Sequence, residues 1–286
     1  MTAAFAELPL AVFTTLAPVG AGAFTVLAFV LGRGESDAES RVRFDRFFFA
    51  PLIVVCLGFA ASMAHLADPS HMAGALAKVG SSPLSNEVCV GTLFVVLALA
   101  YCAATASGKL GEGMRAALAW FAAAAGAAFA VFTGMAYMIP TIASWSTPLN
   151  IVQMLGYALV GGSAFVAAAL SASGMKAAFD AASYPLVLKI AALVGAALAL
   201  VGVFGQLALV AGMSNAVQTG SDLVSAAAPA AVTGVVLLAA SAVATVRFAS
   251  KGSAALAGFA VLLALGGVFA ARLAFYALQI SVGLSL

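Results

Sequence analysis

Charge is scarce in this sequence. Its 286 residues include 12 Lys or Arg and 10 Asp or Glu, 8% charged in all, where a soluble domain carries about 25%. So few charges cannot cover a water-facing surface on a chain that is 64% apolar, which excludes an ordinary soluble enzyme, and disorder would require the opposite balance. A net charge of +2, spread along the chain, excludes a nucleic-acid surface, whose footprint is a Lys/Arg cluster on one face. Histidine is scarce too. With only His65 and His71, six apart at a span end, a multi-haem cytochrome is excluded and a bis-histidine haem is not expected. Cys56, Cys89 and Cys102 lack CxxC spacing and read as small core residues rather than iron–sulfur ligands. No Gly-rich phosphate loop, Ser/His/Asp set or carboxylate cluster for a divalent metal is present.

What is abundant is long apolar sequence. A helix needs about 20 apolar residues to cross a hydrocarbon core of roughly 30 Å. Eight stretches qualify: 8–31, 47–66, 87–105, 116–138, 151–171, 190–212, 230–248 and 254–284. The expectation is an all-α polytopic membrane bundle of eight transmembrane helices, a single integral-membrane domain over 1–286. Gly161-Gly162-Ser163-Ala164 and Gly266-Gly267 supply the small residues that let helix backbones approach closely in lipid.

The basic residues alternate along the connections. Arg33, Arg41, Arg43 and Arg46 follow span 1, Lys109 and Arg115 follow span 3, Lys176 and Lys189 follow span 5, and Arg247 and Lys251 follow span 7. The opposite connections and both termini hold only Lys78. Since positive loops stay cytoplasmic, both termini are expected outside. Nothing basic precedes Arg33, so span 1 reads as a retained helix rather than a cleaved signal peptide.

The remaining polar residues gather at the outer rim: Glu7, His65, Asp68, His71, Glu87, Tyr137 and Trp145. Ser62 and His65 share a helical face, and Pro69 ends that helix. Ser85-Asn86-Glu87 opens span 3, where Ser or Asn can cap free amides and a carboxylate suits the helix dipole. Glu87 therefore reads either as a helix-start carboxylate or as a site residue, and His65 as an interfacial histidine or a proton acceptor. His71 and Asp68 read as loop and turn residues. In span 8, Arg272, Tyr276 and Gln279 fall on one helical face. An arginine within a span is costly unless it faces the bundle interior, and it is a functional hypothesis by default.

The order of these landmarks resembles the membrane anchor subunit of anaerobic dimethyl sulfoxide reductases. The resemblance is carried by Glu7-Leu8-Pro9-Leu10 with Phe13-Thr14, by Ser62-Met63-Ala64-His65-Leu66 with Pro69, and by Leu84-Ser85-Asn86-Glu87. It continues through Tyr137, Pro140 and Trp145-Ser146-Thr147-Pro148 to Arg272, Phe275-Tyr276 and Val282-Gly283. It implies an anchor that binds menaquinol without haem, and partners that hold the other cofactors: a four-cluster, ferredoxin-like iron–sulfur subunit and a molybdopterin catalytic subunit. The family's quinol-site histidine falls on His65 and its acidic residue on Glu87, with Arg272, Tyr276, Tyr137 and Ser62 as further pocket candidates. Gln279 departs from the family pattern, which has histidine there.

Such an anchor belongs in the inner membrane of a prokaryote, with its partners on the outer side. Without haem, electrons cannot cross the bundle, so the quinol site must lie where the iron–sulfur subunit docks. The loops 139–149 and 213–229, with Asp222 as their one charge, suit that docking. A polysulfide- or nitrite-reductase-type quinone anchor is the related alternative. A secondary transporter is the alternative of another class, but it would place its polar groups near the midplane.

Overall fold

The computed structural model describes residues 5–31, 38–64, 74, 76–175 and 184–282. Their regular structure is helical, with two isolated β-bridges in the loops. The helices are α1 (Leu8–Val30), α2 (Ala38–Phe47), α3 (Phe49–Ala64), α4 (Pro83–Thr105), α5 (Glu112–Ala136), α6 (Leu149–Ser173), α7 (Tyr184–Ala211), α8 (Gly220–Lys251) and α9 (Ala254–Ala277). With α2 and α3 taken together, eight spans are long and apolar enough to cross a membrane, as the hydropathy pattern predicts.

The bundle is organised around α1 and α6. Of their most apolar windows 78% and 72% are buried, against 28–44% for the other spans. Glycine makes this possible. A Cβ on Gly22 would lie 1.8 Å from the carbonyl oxygen of Ala158, and one on Gly162 would lie 2.2 Å from that of Gly22. The two backbones therefore touch with no side chain between them, the geometry that replaces the hydrophobic drive in lipid. Large apolar residues such as Phe121, Phe259 and Leu262 point outward, where lipid tails would meet them.

Three boundaries differ from the hydropathy reading. The stretch 38–46 with Arg41, Arg43 and Arg46 is helix, because Phe44 and Asp45 turn inward while the arginines bond other elements: Arg41 pairs with Glu112, and Arg46 donates to the Ala106 carbonyl. Helix α8 begins at Gly220, not 230. Thr219 caps it by accepting from the Asp222 amide, and Pro229 is carried inside. The partner-facing loop predicted over 213–229 therefore shrinks to 213–219. Helix α9 ends at Ala277, not 284, because the chain leaves it to pair with the α5–α6 loop, Val282 N–H donating to the Thr141 carbonyl at 2.9 Å and Ile280 N–H to Ser144 Oγ at 2.8 Å.

The expectation for the cysteines is also corrected. Cys102 is buried, but Cys56 is exposed on α3 and Cys89 is half-buried, since both sit on helix faces without a neighbouring helix over them. Near the basic loops, Asp45 of α2 accepts a two-pronged ion pair from Arg115 of α5, Nε to Oδ2 and Nη2 to Oδ1, both 2.8 Å, and the Tyr101 hydroxyl of α4 donates to Oδ1 at 2.7 Å. All three side chains are buried, so this staple fixes α2, α4 and α5 together.

Candidate functional site

Thr14 of α1, Thr133 and Tyr137 at the end of α5, and Arg272, Phe275 and Tyr276 of α9 bring polar and aromatic groups together inside the bundle. Arg272 is fully buried. Its Nε donates to Thr14 Oγ1 at 2.8 Å and its Nη2 to the Tyr276 hydroxyl at 3.2 Å, while the Tyr276 and Tyr137 hydroxyls share a hydrogen bond of 2.6 Å. The guanidinium carbon lies 3.8 Å from the centre of the Phe275 ring and 4.8 Å from those of Tyr137 and Tyr276. Such contacts are worth about 2 kcal/mol each when water is excluded. Among the described residues no carboxylate stands within ion-pair distance of this guanidinium, so aromatic faces and hydroxyls do the work of a counter-ion. One of its nitrogens, Nη1, has no hydrogen-bond partner.

Trp145 ties the loop between α5 and α6 to this cluster. Its ring stacks on Phe275 at 5.1 Å, and its Nε1 donates to the Phe275 carbonyl at 3.2 Å. The loop is braced from beneath. Asn150 donates to the Trp145 carbonyl at 2.6 Å, Gln206 of α7 donates to the Ser144 carbonyl at 3.2 Å, and Gln153 of α6 donates to Gln206 at 2.7 Å while accepting from Tyr157 at 3.1 Å.

Glu87 is a helix-interior residue. Helix α4 starts at Pro83, and its cap is Ser82, whose Oγ accepts from the Ser85 amide at 3.4 Å. Ser85 and Asn86 therefore do not cap, and Asn86 instead accepts from the Gly80 amide at 2.6 Å. Glu87 lies in the second turn, only 3% exposed, and the helix-start reading falls. Its Oε1 has no hydrogen-bond partner, although the Thr133 hydroxyl adjoins the carboxyl and Arg272 lies within electrostatic range. A buried carboxyl with an unpaired oxygen is expensive, which marks the position as one shaped for something other than stability.

The predicted residues thus divide. Glu87, Tyr137, Arg272 and Tyr276 converge. Ser62 is half-buried in the last turn of α3 and makes no hydrogen bond to the cluster among the described residues. Gln279 lies beyond the end of α9, so only Arg272 and Tyr276 share the predicted face. His65, Asp68 and His71 lie outside the described residues. Thr133, Gln153 and Gln206 escaped the sequence reading, and the available signal was a polar side chain in the middle of an apolar run. Among the described residues no group of three or more His, Cys, Asp and Glu side chains could hold a metal ion. What the unpaired Glu87 Oε1, Thr133 Oγ1 and Arg272 Nη1 offer together is an acceptor, a hydroxyl and a cationic donor, a set suited to a ligand with hydroxyl or carbonyl oxygens.

Comparison with known proteins agrees with the landmarks. The family model described as "DMSO reductase anchor subunit (DmsC)" matches residues 1–278. The C subunit of anaerobic dimethyl sulfoxide reductase from Haemophilus influenzae is 30% identical over 280 residues, covering 98% of this protein and 97% of the relative. The anaerobic dimethyl sulfoxide reductase subunit YnfH of Escherichia coli K12 is 27% identical over 288 residues, with 98% and 97% covered. The C subunit of the dimethyl sulfoxide reductase from the same strain is 40% identical over 88 residues, 31% of each protein. With eight spans and a family match across nearly its whole length, the chain belongs to the DMSO reductase anchor subunit family, the membrane component of a complex with catalytic and iron–sulfur subunits.

Proposed function

We propose that this anchor binds menaquinol in the interior cluster and oxidises it for anaerobic respiration. The observation that carries the reading is Glu87, a buried carboxyl with an unpaired oxygen on a helix of a DMSO reductase anchor subunit family member. Menaquinol is a dihydroxynaphthalene with an isoprenoid tail, and its oxidation releases two protons and two electrons. Glu87 accepts one proton, and His65, directly after the last residue of α3, accepts the other as a neutral imidazole, a group that titrates near neutral pH. Arg272 stabilises negative charge on the ring oxygen as the proton leaves. Tyr276 and Tyr137 hold the guanidinium against the ring site, and Ser62 borders the entrance from α3. The two electrons pass to the clusters of an iron–sulfur subunit docked on the outer side, over the loops 139–148 and 213–219, and from there to the molybdopterin subunit. Both termini lie on that side, in the cytoplasmic membrane of a prokaryote.

The test replaces His65 by arginine and Glu87 by lysine in the assembled complex in membrane vesicles. Each variant should stop acceptor reduction driven by a naphthoquinol and spare reduction driven by a viologen dye that feeds the iron–sulfur subunit directly. Full quinol oxidation in the Glu87→Lys complex would remove the proposal.

A further inference from the structure

The hydroxyl of Thr133 is not bonded to its own helix. Thr14, Thr15, Thr92 and Thr105 each donate to the carbonyl one turn back at 2.7–2.8 Å, and Thr25 does so at 3.3 Å. That internal bond is the usual way a threonine hides its hydroxyl inside a membrane helix. Thr133, fully buried on α5, makes no such bond: no acceptor meets its Oγ1 in hydrogen-bonding geometry, and its neighbour is the Glu87 carboxyl. Thr245 of α8 is likewise buried and unbonded, so it is the place of Thr133 beside Glu87 that carries the argument. One turn before it, Phe129 stacks on Phe94 of α4 at 6.1 Å, and one turn after it Tyr137 bonds Tyr276. Antiparallel α4 and α5 meet where a Cβ on Gly91 would lie 2.8 Å from the Phe129 ring, so Glu87, one turn before Gly91, faces Thr133, one turn after Phe129. Glu87 Oε1 has no hydrogen-bond partner, and neither has Nη1 of Arg272, whose guanidinium stacks on Tyr137 one turn further along α5.

From these three atoms we infer that Thr133 is a quinol-positioning residue: its hydroxyl donates to the oxygen of the quinol hydroxyl whose proton goes to Glu87. This rests on the quinol reading above. The chemistry is complementary, because the quinol O–H donates to Glu87 Oε1 and the same oxygen accepts from Thr133 or Arg272 through its lone pairs. That O–H bond breaks and its proton moves to Glu87, the proton of the other hydroxyl goes to the second acceptor of the quinol reading, the two electrons pass to the partner's iron–sulfur clusters, and Thr133 keeps its own proton throughout. A threonine kept only for packing would be better as valine, since valine has the same shape and no buried hydroxyl to leave unpaired.

The experiment compares wild type, Thr133→Val and Thr133→Ser in the assembled complex, with 2,3-dimethyl-1,4-naphthoquinol as the donor and a reduced viologen as the control donor. The hydrogen bond exists before and during proton transfer, so the valine variant should raise KM for the quinol about tenfold with kcat held within about twofold. Viologen-driven turnover should be unchanged, and serine should bring KM back to within about threefold of wild type. Unchanged quinol kinetics in the valine variant would overturn the positioning role and leave the quinol site standing. A serine variant as impaired as valine would overturn it in favour of packing, and a valine variant that fails to assemble would show that the hydroxyl holds the fold. A wild-type complex that oxidises no naphthoquinol would remove the site and this inference together.

Discussion

Replacing Asp45 by alanine strips Arg115 of the carboxylate that neutralises it and leaves the Tyr101 hydroxyl without its acceptor. Both members of the pair are nearly enclosed, with side-chain exposures of 7% and 4%. Removing one partner of a buried ion pair costs about 3–5 kcal/mol. Glu112 still reaches Arg115 at 3.3 Å from an exposed position, which places the expected loss at the low end, about 3 kcal/mol, or roughly a 150-fold rise in the population of the opened state. The fold supplies a reporter. Cys102 follows Tyr101 on α4 and is fully buried, so with Cys56 and Cys89 changed to serine a thiol-reactive dye can label the protein only when this region opens. Labelling of the Asp45→Ala protein in detergent should speed up by that factor under conditions where reclosing is faster than reaction with the dye. The double variant Asp45→Leu/Arg115→Met should recover most of the protection, because an apolar pair has no charge to strand. Labelling within about threefold of the parent for Asp45→Ala would refute the claim that the pair staples the three helices.

Two further perturbations follow from the packing. Arg272→Lys keeps the positive charge but loses the planar stack on Phe275 and the fork that joins Thr14 to Tyr276. Quinol-driven turnover should therefore fall by about tenfold or more while viologen-driven turnover persists, and wild-type quinol kinetics would show that only the charge matters. Gly162→Val would drive a side chain into the backbone of α1, a cost above about 3 kcal/mol. Immunoblots of membranes should show little accumulated protein, whereas Gly258→Ala, at a glycine with nothing within 4 Å, should accumulate as the parent does.

Much of the architecture was legible because lipid reduces the folding problem to length and hydropathy, and eight apolar runs became eight spans. The misreadings share a cause. Arg41, Arg43 and Arg46 looked like loop because their charge masks a helix whose other face, Phe44 and Asp45, is buried. Residues 220–229 looked like loop because Pro229 and the serines obscure a helix start that Thr219 caps. For the site, Arg272, Tyr276, Tyr137 and Glu87 stood out as polar groups in apolar surroundings, and all four converge. Gln279 did not, since a spacing argument holds only while the helix lasts. Thr133 showed in the sequence only as a polar residue in an apolar run, a weak signal because a threonine inside a span ordinarily bonds its own helix and nothing local shows when it does not.

The enclosure of α1 bears on the order of biosynthesis. This helix precedes every other described span, yet its environment is built from the others: α3, α5 and α6 cover most of it, and α9 supplies the arginine that reaches Thr14 across 258 residues of sequence. The packing faces of Gly20 and Gly22 are met by α3 and α6, but until α9 has entered the bilayer Thr14 lacks the guanidinium that donates to it. Loop closure over such a separation comes late in assembly. The Thr14–Arg272–Tyr276–Tyr137 part of the site therefore closes only after the last span is made, so a polypeptide that ends before α9 lacks the arginine around which that part is built.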